Sequence, residues 1–279
     1  MLHKNLAAYS EYEIFSESAE EETSRYKENK LKGVERNVEF VSELLDGKSS
    51  TVLEWGSGNS KFLYLMQSRG LLKRGYGIEV SKTRHEFAER WRVQGDYDKV
   101  VNINADVLEE KYEKYKPYDL LYCADLAFQF FEPISARKTY KTISGVYENM
   151  NIGGRIVLEL DASERILTAM SDNKVKLWEE FQEHDPWQYV LWNCTYNEEK
   201  KFLKFDKTFL KRGSIDKSYS DVVLRIYTRS EACELLESVG FKNVRVHESW
   251  DNKPPTLRDE YIVVGEKQSS TRGTGVKSD

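Results

Sequence analysis

At 279 residues, 39% of them hydrophobic, 13% aromatic and 32% charged, the chain can bury one good core, or one core with a small appendage. Its net charge of −5 is a poor match for a polyanion and argues against a nucleic-acid partner. Three dispersed cysteines without a Cys-x-x-Cys, four histidines in no ligand spacing, no apolar run of ~18 residues and no continuous apolar start argue against a disulfide framework, a metal site, a membrane span and a secretory signal, so a soluble cytoplasmic protein is expected.

Residues 10–30 are polar and acidic, with Glu20-Glu21-Glu22 at their centre. Leu31, Val34, Val38, Val41 and Leu45 then recur at spacings of three and four, which predicts an amphipathic helix ended by Gly47. A first strand is expected at about 51–55, followed by a helix carrying Phe62, Leu63 and Met66 that ends near Gly70. A second strand at 74–80, a helix at 82–94 and a third strand at 99–104 lead into Ala105-Asp106-Val107. After the breaker Lys116-Pro117, residues 118–123 read as a fourth strand with Asp125 just past its carboxyl end. A helix at roughly 134–149, a turn at Asn151-Ile152-Gly153-Gly154 and a buried fifth strand at 156–160 follow. Strands alternating with helices at this pitch imply a parallel sheet with right-handed crossovers.

Residues 162–227 break the alternation and are rich in aromatics, from Trp178 to Tyr219. Extended segments at 187–196 and 201–210, joined by Asn197-Glu198-Glu199-Lys200, predict an inserted helix and an antiparallel hairpin. This insert suits either a lid over an acceptor or a satellite core; base stacking fits poorly with the acidity of the chain. A helix at 231–239 behind the N-cap Ser230, closed by Gly240, then precedes two last strands, Phe241 to Val246 and Tyr261 to Val264. The organisation expected is an N-terminal segment and amphipathic helix at 1–48, a doubly wound α/β domain at 49–266 with an insert at about 162–227, and a disordered tail at 267–279.

Chemistry concentrates where the first strand ends. Val52-Leu53-Glu54-Trp55-Gly56-Ser57-Gly58 is an apolar strand closed by an acid and a Gly-x-Gly turn, and glycine at both turn positions lets the backbone approach a ligand. Glu79 follows Gly58 by twenty-one residues and ends the second strand, the spacing at which a dinucleotide fold places an acid on ribose hydroxyls. Two acids flanking a glycine turn suit a ligand with a ribose, an adenine and a positive centre.

In these residues the chain resembles the class I S-adenosylmethionine-dependent methyltransferases of small-molecule type, whose pattern is a strand, Glu/Asp-x-Gly-x-Gly, a helix, an acid ending the second strand and another after the third. The match covers roughly residues 50–160 and, more faintly, 229–266; Ser60 stands where the family often has a third glycine. The resemblance implies a Rossmann-like, mostly parallel sheet of about seven strands, the last antiparallel. It also implies S-adenosylmethionine as cofactor. Glu54, Gly56, Ser57 and Gly58 would hold its methionine part, Glu79 its ribose, and Asp106 with Val107 or Ala105 its adenine, with Val80 a further cofactor-binding residue. The acceptor implied is a small molecule, such as a sugar or metabolite hydroxyl or amine.

Asp125 would orient the acceptor, take a proton from it or contact the cofactor amine, or simply cap a turn. His184 and His247 are candidate bases because imidazole titrates near neutrality, though each also suits a packing role. Two other functions remain open: a nicotinamide-dependent oxidoreductase, which the Lys61 at its third glycine position disfavours, and a non-catalytic cofactor-binding protein.

Overall fold

The apolar runs pair as two sheets in the computed structural model, which describes residues 20–180, 188–211, 214–250 and 259–269. The strands are β1 (Ser50–Trp55), β2 (Leu72–Glu79), β3 (Val100–Asn104), β4 (Tyr118–Cys123), β5 (Met150–Asp161), β6 (Lys174–Glu180), β7 (Tyr189–Asn197), β8 (Phe202–Lys211), β9 (Ser214–Arg225), β10 (Lys242–His247) and β11 (Glu260–Glu266). The helices are α1 (Glu20–Lys32), α2 (Glu35–Leu44), α3 (Lys61–Ser68), α4 (Lys82–Gln94), α5 (Phe131–Asn149), α6 (Glu164–Thr168) and α7 (Arg229–Val239). Among these helices none is long and apolar enough to cross a membrane.

Seven strands form one sheet in the order β10-β11-β5-β4-β1-β2-β3, with β11 antiparallel to both neighbours and the other pairings parallel. This is the doubly wound, Rossmann-like sheet expected. Its central strands β1, β4 and β11 and the second half of β5 are buried on both faces, which explains why they read as continuous apolar runs. Alternate residues serve two layers. Val52, Leu120, Val157 and Ile262 pack beneath Val38 and Val41 of α2, Phe62, Leu63 and Met66 of α3, and Phe87 and Trp91 of α4. Leu53, Leu121, Leu158 and Val263 face the opposite core with Ile143 and Val146 of α5 and Leu236 of α7. Phe62 stacks flat on Tyr122, with ring centroids 3.7 Å apart, and so ties α3 to β4.

Several local expectations are corrected. The single amphipathic helix is two, interrupted at Gly33-Val34; glycine weakens a helix interior, and Leu31 and Val38 now sit on either side of the break. The turn at Asn151–Gly154 lies within β5, where Gly153 adopts a φ of +80° and donates its N–H to Lys267 O. The N-cap of α7 is Thr228, not Ser230: the Thr228 side chain accepts from Glu231 N and the Glu231 side chain accepts from Thr228 N. In the insert, the expected helix is the short α6 and the hairpin is the centre of a four-stranded antiparallel sheet, β6-β7-β8-β9. Leu203, Phe205, Val222 and Leu224 of that sheet join the α5 core, whereas Trp178 is 66% exposed. Phe181, His184 and Trp187, and most of the tail expected to be disordered, fall outside the described residues.

Phe62→Ala removes the ring that joins α3 to β4 at a position 1% exposed. It should lower the unfolding free energy by about 3–5 kcal/mol, measured by urea denaturation; a loss under about 1 kcal/mol would mean the stack is not a core contact.

Candidate functional site

The order of the strands fixes where a ligand belongs. From β1 the chain winds outward through β2 and β3, then returns to place β4 on the other side of β1. The two halves part between β1 and β4, and in open α/β sheets the crevice at the carboxyl ends of such strands takes the ligand. Glu54 sits on β1 at this crevice and Asp125 lies just past β4.

The turn between β1 and α3 is built from left-handed backbone: Gly56, Gly58 and Ser60 have φ of +62°, +56° and +60°. At Gly56 a Cβ would lie 2.7 Å from the Cβ of Ala127, so this turn and the segment after β4 touch only because Gly56 has no side chain. Ser60 manages the same conformation and donates its hydroxyl to Asn102 Oδ1 at 2.6 Å. Gly77, beneath the turn, admits Ser57, whose Oγ would lie 2.8 Å from a Cβ there. Ser57 itself is buried.

A chain of charges lines the crevice. Glu54 is buried, and its Oε2 has no hydrogen-bond partner among the described residues. Burial drives its carboxyl well above the usual carboxylate range, opposed by the ammonium of Lys61. Lys61 Nζ donates to Asp125 Oδ2 at 2.9 Å; burial pulls the ammonium down, but the Asp125 carboxylate more than offsets this and its pKa is raised. Asp125 has a φ of +52°, and its backbone N–H donates to Glu159 Oε2 at 2.7 Å. The other Glu159 oxygen accepts from Trp250 Nε1. Burial, then the charges of Asp125 and Glu260, push Glu159 up to about 7.

On the other side of the turn, Glu79 Oε2 accepts from Gly58 N at 2.8 Å and Oε1 from Ser81 N at 2.7 Å. Each oxygen keeps a second lone pair for a ligand hydroxyl. The half-buried Val80 follows it. Asp106 caps the turn Val107–Glu109 by accepting from Leu108 N, while Val107 beside it is buried. The ends of β2 and β3 are joined by Ala105 N donating to Glu79 O, which brings Glu79 and Asp106 to one edge. Over the turn lies α1: Tyr26 meets Phe87 edge-on at 5.7 Å and its hydroxyl accepts from Asn59 Nδ2 at 3.4 Å.

Of the candidate catalytic residues, Asp125 lies at the crevice and His247 does not. His247 ends β10, which β11 and β5 separate from β4. Its ring packs edge-on against Phe40, and burial, then Arg245, lower its pKa. His184 lies outside the described residues. Three site residues escaped the sequence reading. Glu159 was visible as the one acid in the run Ile156-Val157-Leu158-Glu159-Leu160, and Lys61 as the residue that opens the helix after the turn; nothing local marked Trp250.

No family sequence model matches the chain, and no curated protein does. Solved structures do. The chain is similar to the CcbJ methyltransferase of Streptomyces caelestis (15% identity, 84% of this chain and 89% of that one, TM-score 0.69). It is also similar to an amino pentose methyltransferase of Micromonospora echinaspora solved with S-adenosylmethionine bound (15%, 96% and 98%, TM-score 0.56) and to a sugar N-methyltransferase of a Streptoalloteichus species (12%, 96% and 94%, TM-score 0.57). The chain therefore has the fold of the class I S-adenosylmethionine-dependent methyltransferases.

Glu159 holds its proton more tightly in the folded state, so its contribution to stability is full below its ordinary value of 4.5 and is lost as the pH rises through about 7. Urea denaturation at stepped pH across that window should show the wild type losing more stability than Glu159→Gln. Equal slopes would show that Glu159 does not titrate there.

Proposed function

We propose that this protein transfers the methyl group of S-adenosylmethionine to a small-molecule acceptor. The observation that carries the proposal is the constellation at the β1–β4 crevice: a buried Glu54 oxygen with no partner among the described residues, beside a left-handed glycine turn that packs on Ala127 too closely for a Cβ at Gly56. Glu79 and Asp106 stand on the adjoining strand ends. The fold shared with methyltransferases supports the same reading.

S-adenosylmethionine supplies a methyl group on a sulfonium centre, an activated donor that becomes a neutral thioether. The residues then have to bind, align and keep out water. Glu54 takes the ammonium of the amino-acid tail, and the turn from Gly56 through Ser57 to Gly58 wraps that tail. Glu79 accepts from the ribose hydroxyls and Asp106 from the adenine amino group, with Val80 and Val107 against the ring. A pyrophosphate would have to face the carboxylate of Glu54, which counts against a nicotinamide cofactor.

The acceptor we favour is an amine on a sugar-like molecule. Asp125 and Glu159 make the edge beyond β4 acidic, which suits a cationic nitrogen that must be oriented and relieved of a proton. Asp125 handles this acceptor, whereas His247 packs on Phe40, which in turn meets Trp250. Amino pentose and sugar methyltransferases of the same fold are consistent with this choice.

Thermal unfolding with S-adenosylmethionine, S-adenosylhomocysteine, NAD and NADP tests the cofactor. The two sulfur compounds should each stabilise by about 2.7 kcal/mol at a hundred times their Kd, and the nicotinamides should not. Gly56→Ala should remove the response while leaving the circular dichroism spectrum unchanged. Stabilisation by NAD or NADP alone, or by none of the four, would sink the proposal.

A further inference from the structure

We infer that Lys61 anchors the carboxylate of the cofactor's amino-acid tail, and that Asp125 occupies this anchor until the cofactor displaces it and turns it towards the acceptor. The inference rests on the methyltransferase function proposed above.

Lys61 is the first residue of α3, directly after the glycine turn, so its side chain starts at the crevice. That side chain is 24% exposed, whereas the Asp125 side chain that meets it is 72% exposed. The cation is thus sunk in the crevice and its partner reaches in from the rim. Glu54, buried at the end of β1, is near enough that the two charges act on each other, and its Oε2 has no partner among the described residues. A buried carboxylate and a mostly buried ammonium side by side are the complement of an α-amino-acid zwitterion. The ligand's ammonium meets Glu54 Oε2 and its carboxylate meets Lys61 Nζ. The other cation near the turn, Arg84, stands beside Gly58, where its Nη1 lies 3.9 Å from the place of a Cβ.

Asp125 presents to Lys61 the same chemical group that the tail would bring. The exchange replaces one carboxylate with another and leaves the charge around Lys61 unchanged. The exchange is eased because the Asp125 side chain is largely exposed to water, which screens the pair. The backbone need not move, because Asp125 N is held by Glu159 and only the side chain turns. Once displaced from Lys61, the Asp125 carboxylate stands at the carboxyl end of β4, next to where the methyl group is delivered. Cofactor binding would then raise the affinity for a cationic acceptor, and by linkage the acceptor would raise that for the cofactor.

Calorimetric titration of the full chain with S-adenosylhomocysteine and with 5′-methylthioadenosine tests this, since the second ligand keeps the adenosine and thioether but lacks the amino-acid tail. Lys61→Met should weaken S-adenosylhomocysteine by at least about tenfold, the scale of a hydrogen bond to a charged group, and leave 5′-methylthioadenosine unchanged. Lys61→Arg should keep most of the affinity. Asp125→Asn, which removes the competing carboxylate, should tighten S-adenosylhomocysteine and leave the tailless ligand alone. Equal loss of both ligands in Lys61→Met, no loss of either, or weaker S-adenosylhomocysteine binding in Asp125→Asn would overturn the inference. A wild type that binds neither ligand would instead overturn the methyltransferase function beneath it.

Discussion

The pairing of β4 against β1 is the constraint on which the rest depends. Val52 to Trp55 lie in parallel register with Leu120 to Cys123, and the same β1 residues pair with β2 on their other side. A strand so flanked has no free edge, and its carboxyl end opens between two halves of the chain that wind in opposite directions. The helix after β1 then has to start at that opening, which is why the glycine turn, Lys61 and the segment after β4 share one small volume. Gly56 is the price of that sharing, because Ala127 comes too close for any side chain there.

The opening is also dry and acidic. Glu54 and Glu159 are buried, and both have carboxyl groups raised above the ordinary range by burial. Lys61 is the cation that answers Glu54 and Asp125, while Glu159 is satisfied by N–H donors, from Asp125 and Trp250. The arrangement fixes the geometry of the loops after β4 and β10 through one carboxylate. Buried polar groups of this kind are costly when unpaired, so the loops they hold are specified more tightly than their exposure suggests.

Much of the fold was legible because the sheet is parallel. Val52-Leu53, Leu120-Leu121 and Ile156-Val157-Leu158 are doubly buried and read as short apolar runs, and the helices between them show their own period. The cofactor side of the candidate site was legible for a related reason: acids and glycines at strand ends stand out against such runs. What was not legible depended on contacts between distant segments. The partner of Lys61 lies 64 residues away, and that of Trp250 lies 91 residues away. The insert was underread because β6 alternates Val175 and Leu177 with lysines and exposes its outer face, a weak signal when taken alone. The helix break at Gly33-Val34 was missed because the apolar spacing runs through it unchanged: Leu31 of α1, Val34 in the break and Val38 of α2 pack on the same core.

The position of α1 has a mechanical consequence. Gly33-Val34 separates a helix that lies on the glycine turn from one that lies on the sheet: α2 holds the core through Val38 and Val41, whereas α1 reaches Asn59 through Tyr26. Force applied to α1 therefore reaches the turn through Tyr26 and Asn59 as well as the core through Leu31. The helix is a handle on the site, so a partner, a fusion or a cleavage that displaced it would change the shape of the crevice without altering any residue that lines it.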